Sequence, residues 1–97
     1  MPYAINQGVR VHFKVEGAGS PLVVHHGLND SLETIYDVGD VVQVLKGDYQ
    51  IILIDARGHG ASDKPHDPEA YRMVLRVADV IAVLDALEID KAHFLGY

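Results

Sequence analysis

The sequence predicts an α/β fold with a mostly parallel sheet, on three observations. Leu22-Val23-Val24-His25-His26 and Ile51-Ile52-Leu53-Ile54-Asp55 are short, unbroken apolar runs that end in polar residues, with glycine close behind. Strands buried on both faces read this way, which implies a parallel sheet with helices on either side. The segments that follow each run carry apolar residues at spacings suited to crossover helices.

The chain opens with an antiparallel hairpin. Val9-Arg10-Val11-His12-Phe13-Lys14-Val15 alternates apolar and polar residues, the period-two mark of a strand with one buried face. Tyr3-Ala4-Ile5 supplies the partner strand and Asn6-Gln7-Gly8 the turn. Residues 16–21 form a glycine-rich connector closed by Pro21, which has no N–H to give to a ladder. Residues 22–26 are the first parallel strand. Residues 31–46 carry Leu32, Ile35, Tyr36, Val38, Val42 and Leu45 in an irregular helical pattern that Gly47-Asp48 stops. Residues 51–55 are the second parallel strand. After a long loop, Val74, Val77, Ala78, Ile81, Leu84 and Leu87 recur at three- and four-residue spacing, which predicts an amphipathic helix over residues 71–88. Asp67-Pro68-Glu69 starts it, with acidic side chains near the positive end of the helix dipole. Ala92-His93-Phe94-Leu95-Gly96 is a third strand of the parallel kind. Such a strand calls for another helix over its far face, so the sheet is expected to be completed by a C-terminal portion beyond Tyr97.

Composition excludes several function classes. A chain of 97 residues holds one domain at most, and 48% hydrophobic with 23% charged residues is an ordinary globular balance. The net charge of −6 and the lack of a basic run argue against a nucleic-acid or anionic-membrane surface. With no cysteine there is no disulfide, thiolate metal site or thiol nucleophile. No apolar run reaches the roughly 20 residues that cross a bilayer, and the first ten residues have no leader character, so a cytoplasmic protein is expected.

Two motifs lie at the carboxyl ends of the apolar strands, where open α/β sheets place their ligand crevice. In His25-His26-Gly27-Leu28-Asn29-Asp30, a glycine directly after a strand lets the backbone turn and present N–H groups to the crevice. Such donors hold the oxygen anion that develops when an acyl carbon is attacked, an effect of about 2.7–4 kcal/mol each. The plainer reading is that Gly27 ends the strand and the histidines make local hydrogen bonds. In the block 55–65, Asp-Ala-Arg-Gly-His-Gly-Ala-Ser-Asp-Lys-Pro, alternate glycines flanked by Asp, Arg and Ser describe a tight, internally hydrogen-bonded loop. Asp63 stands where a dinucleotide fingerprint needs its third glycine, and no P-loop Lys-Ser pair is present. Asp55, Arg57, Gly58, His59, Gly60 and Ser62 are therefore expected to be structural, with Asp55 the acceptor that organises the loop. No metal is expected, because adjacent histidines on a strand point to opposite faces and no His-Glu-x-x-His spacing exists. His12, His66 and His93 read as strand and loop residues without catalytic duty, and Tyr36 and Tyr71 as packing residues.

Together, residues 21–28, the block 55–65 and the closing Phe94-Leu95-Gly96-Tyr97 occur in the order and spacing of the α/β-hydrolase fold superfamily, which the chain resembles over nearly its whole length. The resemblance implies that residues 1–97 are the N-terminal segment of a single α/β-hydrolase domain. It implies that His26 and Gly27 belong to the oxyanion loop, with Leu28 giving its backbone N–H; Asn29 stands where the family often has proline. The 55–65 loop would buttress the site. Gly96 and Tyr97 match the first two positions of the Gly-x-Ser-x-Gly elbow, which puts the nucleophile, acid and histidine of the triad beyond Tyr97. The implied activity is hydrolysis of an ester, lactone or related activated carbonyl in a small molecule by a Ser-His-Asp triad, without a cofactor. An aspartate after Tyr97 would instead imply an epoxide hydrolase or dehalogenase. A non-catalytic ligand-binding protein on the same scaffold is the third reading. The expected partner is a complementary C-terminal chain or fragment of the same protein, because so small a sheet leaves apolar faces and edges open. Three accounts of the end at Tyr97 stay open: a partial gene product, one of two separately supplied fragments, or a precursor cut before a serine by an N-to-O acyl shift and ester hydrolysis.

Overall fold

The computed structural model describes residues 2–27, 30–35 and 41–96. Its opening is the expected hairpin, β1 (Tyr3–Asn6) and β2 (Val9–Glu16). The two turn residues, Gln7 at φ 49° and Gly8 at φ 86°, are both left-handed. That is the turn whose twist matches an antiparallel pair. β2 is long enough to pair twice. Its first half pairs β1, from Tyr3↔His12 to Asn6↔Val9. Its second half pairs β4 (Tyr49–Ile54), also antiparallel, from Phe13↔Ile54 to Glu16↔Ile51.

β3 (Ser20–His25) lies parallel to β4 on one side and to β5 (His93–Gly96) on the other. The sheet order is β1-β2-β4-β3-β5. From β3 the chain steps to one side to form β4, then crosses back over β3 to form β5. The carboxyl end of β3 is therefore the point where the winding reverses, and in open α/β sheets that point opens a ligand crevice.

The central strands are apolar on both faces because both faces are covered. On one face Val23, Ile52, Ile54, Val11 and Phe13 pack with Val83 of α3 (Met73–Ala86). On the other, Leu22, Val24, Ile51 and Leu53 pack with Leu32 and Ile35 of α1 (Leu32–Ile35) and with Val42 of α2 (Val41–Leu45). No described helix is long and apolar enough to cross a membrane.

Four expectations need correction. β3 starts at Ser20 and includes Pro21, which is tolerated because pairing with β5 begins only at Leu22, so at this position the strand has β4 alone beside it. The helix expected over 31–46 is two short helices in the described residues, while Tyr36 and Val38 lie outside them. The helix expected from residue 71 starts at Met73. Asp67 instead caps a 3₁₀ turn, Pro68–Tyr71, by accepting from the Glu69 N–H at 3.0 Å, and Arg72 at ψ 145° separates that turn from α3. Finally, β2 is buried through three successive residues, Val11, His12 and Phe13, where alternation predicted one buried face. Its middle is covered on both sides.

Candidate active site

β4 ends by delivering Asp55 into the interior, where it is 2% exposed. Its carboxylate is saturated with donors. Oδ1 accepts the Leu32 N–H at 2.8 Å, and Oδ2 accepts the Ala61 N–H at 3.0 Å and His12 Nδ1 at 2.7 Å. Burial alone would push this carboxyl up; the bonds from Leu32, His12 and Ala61 outweigh it and hold Asp55 below the usual carboxylate range. Gly60 makes the loop possible. It sits at φ 50°, and a Cβ there would meet the Asp55 carboxylate at 2.2 Å. Ser62 closes the loop by accepting the His12 N–H at 2.7 Å and donating to the Asp55 carbonyl at 2.7 Å.

Arg57, 3% exposed, anchors the same loop to α3. Its Nε and Nη2 meet the two oxygens of Asp79 at 2.7 and 2.6 Å, and its Nη1 donates to the Ala70 carbonyl at 2.6 Å. Asn6 Nδ2 donates to Asp79 at 2.9 Å and ties β1 into the group. Gly58, at φ 83°, is covered by the Tyr71 ring, whose hydroxyl donates to the Pro65 carbonyl at 2.7 Å. Farther out, the Asp63 carboxyl is held below its ordinary range by the backbone N–H and guanidinium of Arg10.

The histidines gather at the reversal point. The Ala56 N–H donates to His26 Nε2 at 3.0 Å, so that nitrogen carries no proton, and Nδ1 donates to the Gly27 carbonyl at 2.8 Å. His25 Nδ1 donates to the His26 carbonyl at 2.9 Å, and His59 Nδ1 to the Arg57 carbonyl at 3.1 Å. The His26 ring lies 5.2 Å from that of His25 and 5.0 Å from that of His59. Desolvation lowers the His25 pKa, and the neighbouring His26, Arg76 and His59 add to that against the opposing bond to the His26 carbonyl. These side chains, with Gly27, Phe94 and Gly96, line a cavity of about 300 Å³ at the strand ends. A second cavity of about 300 Å³ adjoins it through His25, Arg76 and Phe94, and is otherwise lined by apolar residues of α3 such as Met73, Val77 and Ile81.

The structure thus brings His26, Gly27, His59 and Gly96 to one cavity and buries Asp55, Arg57 and Ser62 in the loop beneath it. Leu28, Asn29 and Tyr97 lie outside the described residues. One expectation fails. His25 and His26 do not face apart, because β3 ends at His25 and the next residue is free to turn its ring onto its neighbour's. His12 is a strand residue as expected, and it also bonds Asp55 from the neighbouring strand. Its signal in the sequence was a histidine at a polar position of an alternating strand, flanked by Val11 and Phe13, and its partner is 43 residues away.

The sequence and the fold match known proteins. Residues 20–97 fit the family model described as alpha/beta hydrolase fold. The chain is 31% identical over 94 residues to bifunctional epoxide hydrolase 2 of Mus musculus, covering 96% of this chain and 16% of that one. It is 40% identical over 78 residues to esterase YbfF of Escherichia coli strain K12, covering 80% of this chain and 28% of that one. Among solved structures, a hydrolase from Pseudomonas aeruginosa PA01 superposes with a TM-score of 0.87 at 32% identity, over 98% of this chain and 35% of that one. The chain therefore spans well under half of the length of each of these relatives. On the family-model match, the chain belongs to the α/β-hydrolase fold family.

Proposed function

We propose that this chain supplies the oxyanion side of a hydrolase active site acting on an ester, lactone or related activated carbonyl of a small molecule. The observation that carries the reading is the cavity at the carboxyl ends of β3 and β5, where His26 and Gly27 meet Gly96. When a nucleophile attacks a carbonyl held there, charge develops on oxygen. Backbone N–H groups after Gly27, that of Leu28 first, stabilise it by about 2.7–4 kcal/mol per donor. His26 is not a proton carrier in this scheme, because both of its ring nitrogens are committed to the backbone. The nucleophile, acid and triad histidine come from sequence beyond Tyr97, in a C-terminal portion that completes the sheet. The small share of each relative that this chain covers supports that division. A second reading, an aspartate nucleophile opening an epoxide, is favoured by the similarity to the mouse epoxide hydrolase.

Treating the full-length protein with a fluorophosphonate, an aryl ester and an aryl epoxide tests both. Fluorophosphonate labelling with ester turnover is expected. Epoxide opening without labelling would select the second reading, and no reaction with any of the three would sink the enzyme reading.

A further inference from the structure

We infer that His12 is a positioning residue for the segment 26–32: through Asp55 it fixes both ends of the loop that carries the proposed oxyanion donors. The two ends of that segment are tied down by adjacent residues of one strand terminus. At the near end the Ala56 N–H holds the His26 ring, and at the far end Asp55 Oδ1 holds the Leu32 N–H. The placement of both anchors therefore depends on how the Asp55–Ala56 unit is oriented. His12 grips that unit in three ways. Its carbonyl accepts the Asp55 N–H at 2.9 Å, its ring bonds Asp55 Oδ2 at 2.7 Å, and its N–H is bridged through Ser62 to the Asp55 carbonyl. His12 and Asp55 are 1% and 2% exposed, so water does not replace a lost bond. The other ring nitrogen of His12 has no hydrogen-bond partner among the described residues. A buried nitrogen left unpaired is a cost that simple packing would avoid by using an apolar residue, and the bond to Asp55 is what the imidazole adds.

The consequence for catalysis rests on the function proposed above, whereas the anchoring itself does not, and the test separates the two. In the full-length protein, His12→Phe and His12→Gln remove a donor at the Nδ1 position. His12→Asn keeps one there, because its amide is shorter than that of glutamine by one methylene. Amide hydrogen exchange at Leu32 and Ala61 is measured against Val23, which reports opening of the central sheet. In the Phe and Gln variants, exchange at Leu32 and Ala61 is expected to rise about tenfold or more beyond any change at Val23, and in His12→Asn to stay near wild type. On an aryl ester, kcat is expected to fall about 10- to 100-fold in the Phe and Gln variants with KM little changed, and His12→Asn to recover most of it. Exchange at Leu32 that merely tracks Val23 in both donor-deficient variants overturns the inference. If His12→Phe does not fold, the contrast between Gln and Asn decides. If the wild type has no activity on any substrate, the proposed function fails while the exchange data still decide on the anchoring.

Discussion

The loop after β4 and the outer surface of α3 with β5 are built on opposite principles. In the loop, Asp55, Arg57 and Ser62 are 2–3% exposed and each finds partners within the chain. On the outer surface, Met73, Val74, Val77, Ile81 and Phe94 are 50–67% exposed, although they belong to regular elements. Polar groups are buried in one region and apolar groups exposed in the other. The first region is locally complete, since buried ions persist only when paired. The second is a broad exposed apolar surface of the kind that marks an interaction face. It also adjoins the cavity at the strand ends, so whatever covers it also walls the site.

The largest test breaks the complete region. Asp79→Ala removes both carboxylate bonds of a buried guanidinium and leaves its charge without a counter-ion, with only the Ala70 carbonyl still accepting from it, at a cost of about 3–5 kcal/mol. Denaturant unfolding of the full-length protein measures it; a cost under 1 kcal/mol would mean that water reaches Arg57. A smaller effect is expected on the open face. If the proposed C-terminal portion covers this face, Val77→Asn is expected to cost about 2 kcal/mol in the full-length protein, because the amide would be buried without a partner. A change within about 0.5 kcal/mol would show that the face stays open to water. The smallest effect sits on the boundary between the two regions. Because His25 in the folded chain titrates below its ordinary value of 6.5, the unfolded chain takes the proton first as pH falls. Stability from this group is full above about pH 6.5 and is lost as pH drops through the folded value. An NMR titration of the His25 ring should place its midpoint below that of the denatured protein, and a midpoint above it would contradict the burial of this ring.

Much of this division was legible in the residues themselves. The runs at 22–26 and 51–55 marked doubly covered strands because local apolar content directly reports burial on two faces. The spacing at 74–87 marked α3 as a helix, but not its buried face: Val74, Val77 and Ile81 of that pattern are half or more exposed, and Asp79 and Val83, outside it, are the buried ones. β5 is the parallel strand its sequence predicted, and its four residues are exposed in this chain, as a strand with an uncovered far face is expected to be. The pattern reports the environment a segment is suited to, which its exposure in this chain does not match. Pairings were the harder part. The second use of β2, against β4, sets His12 beside Asp55, and no periodicity within either strand encodes which strand lies next to it. The approach of His25, His26 and His59 follows from the motifs at the strand ends, but the stacking of His25 on His26 was hidden, because it depends on a strand ending one residue earlier than its composition suggests.

His26 has a chemical consequence of its own. With one donor and one acceptor, both spent on main-chain groups, its ring does the work of a peptide unit. β3 stops at His25, yet the stitching to β4 runs on past it, because an imidazole nitrogen takes the place of the carbonyl that Ala56 would otherwise lack. Gly27 can then leave the plane of the sheet without stranding its neighbour's amide. An acylating reagent such as diethyl pyrocarbonate, which needs an unshared ring lone pair, meets none on this imidazole: the histidine nearest the turn is the one least able to react.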